Sequence, residues 1–115
     1  MSEGALGDLP LIALVFRYEV RDSEEFERVY GPEGEWAQFF RAGRGYIGTE
    51  LLHDLDEPER YFVIDRWESV EAYNAFLGEH QAEYLQRSDD ARMHYVQELR
   101  FGTFENIWHA DPTAP

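Results

Sequence analysis

The stretch Leu11–Val20, LIALVFRYEV, limits the fold more than any other. Extended, it puts Ile12, Leu14, Phe16, Tyr18 and Val20 on one face, and that face is wholly apolar. Leu11, Ala13 and Val15 make the other face apolar too, until Arg17 and Glu19. Such a strand has to be covered on both faces, because apolar area is driven out of water. The rest of the chain must supply a cover for each side of the sheet.

One cover is readily found. Asp22 opens a helix, and Glu25 three residues on completes a capping-box pattern. Phe26, Val29 and Tyr30 are spaced for one helical face. Gly31-Pro32-Glu33-Gly34 interrupts that helix and Trp36 to Phe40 resumes it, which predicts two short pieces with a turn between them. Gly43-Arg44-Gly45 is a turn, and Tyr46 to His53 alternates as a second strand. A loop at Asp54 to Glu59 leads into a third strand, Arg60 to Trp67. There the period changes. Ser69 is a good N-cap, and Tyr73, Phe76, Leu77, His80 and Tyr84 form one helical stripe with Gly78 as its weak point. Met93 to Phe104 makes the last strand.

The order strand, helix, strand, strand, helix, strand predicts an α+β fold on the ferredoxin-like βαββαβ plan. Four antiparallel strands form one sheet, with the helices on one face. The second cover is then missing from the single chain. Two sheets pressed face to face supply it, which predicts a homodimer.

At 115 residues the chain is read as one domain, residues 11 to 105. A flexible arm at 1 to 10 and a C-terminal tail at 106 to 115, carrying Trp108, flank it. The net charge of −14 repels phosphates and anionic lipid, so neither nucleic acid nor a membrane is an expected partner. The absence of cysteine excludes disulfides, thiolate nucleophiles and zinc–thiolate sites. MSEGALGDLP lacks a basic region followed by an apolar one, so a cytoplasmic location is expected. No histidine–carboxylate spacing resembles a metal site, and no Ser–His–Asp arrangement or phosphate-cradling loop is evident.

The runs GYIGTELLHD, RYFVIDRWES and EAYNAF, with a closing ELRFGTFE, resemble the antibiotic biosynthesis monooxygenase family of dimeric α/β-barrel proteins. The resemblance covers roughly residues 11 to 105, nearly the whole chain apart from its tails. It implies a substrate held between sheet and helices, and oxidation of an aromatic or polyketide-like small molecule without metal, flavin or other cofactor. Oxygen chemistry without a cofactor needs a substrate that ionises to a stable phenolate or enolate and supplies the electron itself. The protein then binds the rings, stabilises the anion and excludes water. On this reading Trp36, Phe40, Trp67, Phe76 and Tyr84 are candidate walls, and Arg17, Arg66, His53 and His80 are polar candidates. His80 and Arg66 are the expected catalytic pair, His80 because its pKa range suits a proton acceptor.

Two further readings stand beside it. Haem-degrading relatives use an asparagine on the first strand, a tryptophan ending the third and a histidine on the next helix. Trp67 matches, His80 comes later along its helix, and Leu11 to Val20 holds no asparagine, so haem is not expected. The other alternative is a non-catalytic ligand-binding or structural dimer of the same fold. Trp67 separates the readings: it is either a wedge in the core or the wall of a pocket that His80 also reaches.

Overall fold

The computed structural model describes residues 11–107. Its strands are β1 (Ile12–Glu19), β2 (Tyr46–His53), β3 (Arg60–Trp67) and β4 (Gln97–Glu105). Its helices are α1 (Ser23–Tyr30), α2 (Glu35–Phe40), α3 (Val70–Glu79) and α4 (Gln81–Ala91), and a 3-10 turn at Arg92–His94 precedes β4. The predicted arm and the part of the tail that holds Trp108 lie outside the described residues.

All strand pairs are antiparallel and the order is β2-β3-β1-β4, the ferredoxin-like arrangement. The caps are the ones the sequence marks. Asp22 accepts from the Glu25 amide at 3.1 Å, and Ser69 from the Ala72 amide at 3.0 Å. Two expectations are corrected. The last strand begins at Gln97 rather than Met93, because the chain first closes a 3-10 turn. The helix after Ser69 is two helices, broken at His80, whose φ of −121° and ψ of 29° leave the helical region.

Alternation along the strands sorts the side chains onto two faces. Ile12, Leu14, Tyr18, Tyr61, Val63, Asp65 and Trp67 are buried under the helices. Ala13, Val15, Phe62 and Ile64 point the other way, with Leu52 at 49%, Leu99 at 40%, Phe101 at 46% and Phe104 at 50% exposure beside them. A bulge in β4 sets this division. Phe16 pairs with Arg100 and Val15 with Gly102, so Phe101 is the extra residue and lies 5.8 Å from the Phe62 ring. Gly102 takes φ +144°, a conformation side chains rarely adopt, and that permits the bulge.

Candidate active site

A cavity of about 240 Å³ lies between sheet and helices. Its floor is the inner sheet face: Phe16 and Tyr18 of β1, Thr49 of β2, Val63 and Asp65 of β3, and Glu98 and Arg100 of β4. Over it stand Tyr30 of α1, Trp36 and Phe40 of α2, Tyr73 of α3, and Tyr84, Ser88 and Ala91 of α4, with Tyr95. The volume exceeds the roughly 150 Å³ that holds a benzene in an engineered cavity and falls below the roughly 300 Å³ where drug-sized sites begin. One or two fused rings fit that range.

The break between α1 and α2 shapes the wall. Gly34 caps α2 in place of a side chain, and the helix swings Trp36 inward. The Trp36 ring stacks on Phe40 at 5.6 Å and meets Tyr84 edge-on at 5.8 Å. Trp36 and Ala91 also border an outer cleft of about 400 Å³, rimmed by Glu35, Glu83, Asp90, Arg87 and His94. The Trp36 side chain thus stands between cleft and cavity.

Asp65 is the one buried charged residue among the described residues. Thr49 donates to its Oδ1 at 2.7 Å, and Tyr46 lies 2.5 Å from the same hydroxyl. Thr49 has one proton and spends it on Asp65, so Tyr46 must be the donor of the second bond. Burial pushes the Asp65 carboxyl up to about 6, against the lowering effect of the Thr49 bond. Burial likewise raises the hydroxyls of Tyr18, Tyr30 and Tyr73, which stay protonated. Tyr18 donates to Glu98 Oε2 at 2.6 Å, and Arg100 donates to Thr103 at 2.7 Å.

The predicted site residues divide. Trp36, Phe40 and Tyr84 line the cavity. Trp67 and Phe76 do not; they form the packed layer beside it. Trp67 is fully buried, with Phe40, Tyr46, Tyr73 and Phe76 rings at 5.3–5.7 Å. The expectation that Trp67 and His80 open on one cavity is therefore corrected. His80 sits at the helix break, its ring 4.5 Å from Phe76 and 6.0 Å from Phe39, and borders a separate outer hollow with Glu83 and Arg87. Arg66 lies on the opposite sheet face, bonded to Glu50 at 3.0 Å, because β3 alternates and Asp65 points inward. Arg17 shares that face with Glu19, 3.6 Å away. His53 stacks on Tyr61 at 4.5 Å, and its Nε2 is 2.7 Å from the Pro58 carbonyl.

Sequence reasoning missed Asp65, Thr49, Tyr73 and Arg100. The signal for Asp65 was present: a carboxylate at an inward position of a strand otherwise filled by Tyr61, Val63 and Trp67. No group of three or more His, Asp or Glu side chains placed to hold a metal occurs among the described residues.

The model of the antibiotic biosynthesis monooxygenase family matches residues 13–88. The chain belongs to that family. Among solved structures it is similar to SnoaB, a cofactor-independent oxygenase from Streptomyces nogalater, with TM-score 0.68, 25% identity, 92% of this chain and 98% of that chain covered. It is also similar to the haem degrader MhuD from Mycobacterium tuberculosis, with TM-score 0.64, 24% identity, 89% of this chain and 100% of that chain covered; at that identity the likeness speaks for the fold. A mycobilin-producing haem oxygenase from two strains of Mycobacterium tuberculosis is 47% identical over 32 residues, 28% of this chain. That match spans 30% of the relative's length.

Proposed function

We propose that this chain is a cofactor-independent monooxygenase acting on an aromatic or polyketide-like small molecule in the cavity between sheet and helices. The observation that carries the reading is an aromatic-walled cavity with a buried carboxylate and a guanidinium, Arg100, in its floor. Membership of the family and the likeness to SnoaB support it. Trp36, Phe40 and Tyr84 hold the rings, and Trp67 and Phe76 back them. The reaction carries its own electrons. A ring C–H₂ or its enol reacts with O₂; one oxygen atom becomes the new C=O, and the other leaves as water with the two hydrogens. The substrate loses four electrons and O₂ gains four, so no external reductant is needed.

Haem suits this cavity poorly. No histidine lines it, and His80, the imidazole on the helix that follows β3, packs on Phe76 and Phe39 outside it. The working unit in this reading is a homodimer closed through the apolar outer sheet face. We place it in the cytoplasm; no helix among the described residues is long and apolar enough to cross a membrane.

The test is oxygen uptake by purified, metal- and flavin-free protein with 1-naphthol, a two-ring phenol. Stoichiometric uptake with formation of 1,4-naphthoquinone is the expected result. Saturable binding of the ring without uptake would favour a non-catalytic ligand-binding dimer.

A further inference from the structure

We propose that Asp65 is the proton acceptor of this site, taking the acidic proton of a neutral hydroxyarene or enolisable ring ketone held in the cavity. The assignment rests on the reading of the cavity as a monooxygenase site and names the group that starts the reaction there.

Placement is the first argument. Asp65 lies at one end of the cavity floor, on the inner strand β3, flanked by Leu14 of β1 and Thr49 of β2 in the strand register. A charge there is costly, and a purely structural site would pair it with a cation. No cation is bonded to it. Thr49 is the only side chain hydrogen-bonded to the carboxylate among the described residues, and it bonds Oδ1. That leaves Oδ2 free to accept from a ligand. The nearest guanidinium in the cavity, Arg100, is turned to Thr103.

The surroundings select the state of the ligand. The titratable and charged groups that face Asp65 are Tyr46 from β2, Tyr18 from β1, Glu98 and Arg100 from β4, and Tyr30, Tyr73 and Tyr84 from the helices, with Tyr95 beside them. Burial keeps the hydroxyls of Tyr18, Tyr30, Tyr46, Tyr73 and Tyr95 protonated, and the Glu98 carboxylate is held by Tyr18. Asp65 and Glu98 against the single guanidinium of Arg100 leave the lining net negative, so the ligand enters as the neutral acid and a carboxylic acid is disfavoured. As the ring reacts with O₂, its proton passes to Asp65 Oδ2. The electron pair stays on the ligand as phenolate or enolate, and Asp65 becomes the neutral acid. Charge is thereby moved, not created, in the cavity. Burial raises the carboxyl to about 6, which leaves it ionised near neutral pH yet basic enough to compete for a weak acid's proton. Thr49 and Tyr46 are positioning residues. Thr49 holds Oδ1 and Tyr46 holds Thr49, a chain of donors that starts at the half-buried edge of Tyr46 and ends on the carboxylate.

The probe is a cyano-substituted naphthol, a weak acid whose anion absorbs at longer wavelength. At about pH 7.5 Asp65 is ionised and the free probe is mostly neutral. The probe is the weaker acid of the pair, so at equilibrium it keeps its proton and shares it in a hydrogen bond to the carboxylate; on binding to the full chain the neutral band should shift to longer wavelength with no proton released to the buffer. Asp65→Asn should bind the probe without that shift. Thr49→Val should keep the shift but move its pH midpoint upward, because the bond that stabilises the ionised carboxylate is gone. Oxygen uptake with 1-naphthol separates this assignment from the reading it rests on. Asp65→Asn should lower kcat/KM by at least about 100-fold and abolish the limb near pH 6. A band shift of equal size in folded Asp65→Asn, a bound probe whose band does not move in the wild type, or undiminished uptake in Asp65→Asn would overturn the role of Asp65 and leave an oxygenase standing. An Asp65-dependent shift with no uptake would do the reverse.

Discussion

The indole of Trp67 is enclosed by Phe40 of α2, Tyr46 of β2, Tyr73 and Phe76 of α3, and the backbone of Gly43. A Cβ added at Gly43 would stand 2.7 Å from the Trp67 ring and 2.7 Å from Phe76, so the turn approaches as closely as it can. That is the packing of a core wedge. Trp67→Ala should cost about 3–5 kcal/mol in urea unfolding. Trp67→Phe should cost much less, because Nε1 is buried without a hydrogen-bond partner among the described residues and losing it removes an unpaired donor. Asp65 is the opposite case, a residue that lowers stability. Its carboxyl ionises at 3.8 in an unfolded chain and at about 6 in the fold. Between those values the folded state keeps a proton the unfolded chain has lost, so stability falls as pH rises through the window. Above it the whole penalty stands, about 3 kcal/mol at 1.36 kcal/mol per pKa unit. Asp65→Asn should therefore stabilise the protein by up to that amount at neutral pH and by little below pH 4, as urea midpoints at the two pH values will show. The inward face of β3 was legible from alternation alone. The role of Asp65 was not, because a histidine on the next helix carries the more familiar chemistry and drew the assignment.

The four strands and the broken first helix follow from patterns that one chain displays: period 2, period 3.6, two caps and a Gly-Pro-Glu-Gly interruption. The break at His80 does not. Phe76, His80 and Tyr84 are each four residues apart, so the stripe stays in phase across the junction and periodicity cannot register the bend. The bend matters for the site. It carries Tyr84 over the cavity and leaves His80 on the outer corner. Gly78 lies two residues before it, exposed, with nothing within 4 Å of an added Cβ. Gly78→Ala should raise stability by about 0.5–1 kcal/mol, read as a higher melting temperature with the break retained. A loss of stability would mean that the glycine is needed for the path of the chain into the break.

At the scale of the molecule, the sheet divides two tasks. Its inner face builds the cavity, and its outer face presents Phe62, Ile64, Leu99, Phe101 and Phe104 with ion pairs at the margin, Arg60–Glu19 at 2.9 Å and Arg66–Glu50 at 3.0 Å. An apolar face with a charged rim has the composition of an association surface. Sedimentation at micromolar concentration should give a dimer for the wild type. Phe101→Glu should give a monomer, since its side chain is on the outer face and away from the cavity. A wild type that sediments as a monomer would refute the association. The need for a second cover was legible in Leu11, Ala13 and Val15; the bulge that turns Phe101 outward while Arg100 faces in was not, because it depends on the pairing of β4 with β1. If the cavity directs O₂ onto a ring without a cofactor, turnover of 1-naphthol under ¹⁸O₂ by protein stripped of metal and flavin should put one ¹⁸O atom in the quinone formed and the other in water. A quinone carrying only solvent oxygen, or none formed above the protein-free rate, would contradict it.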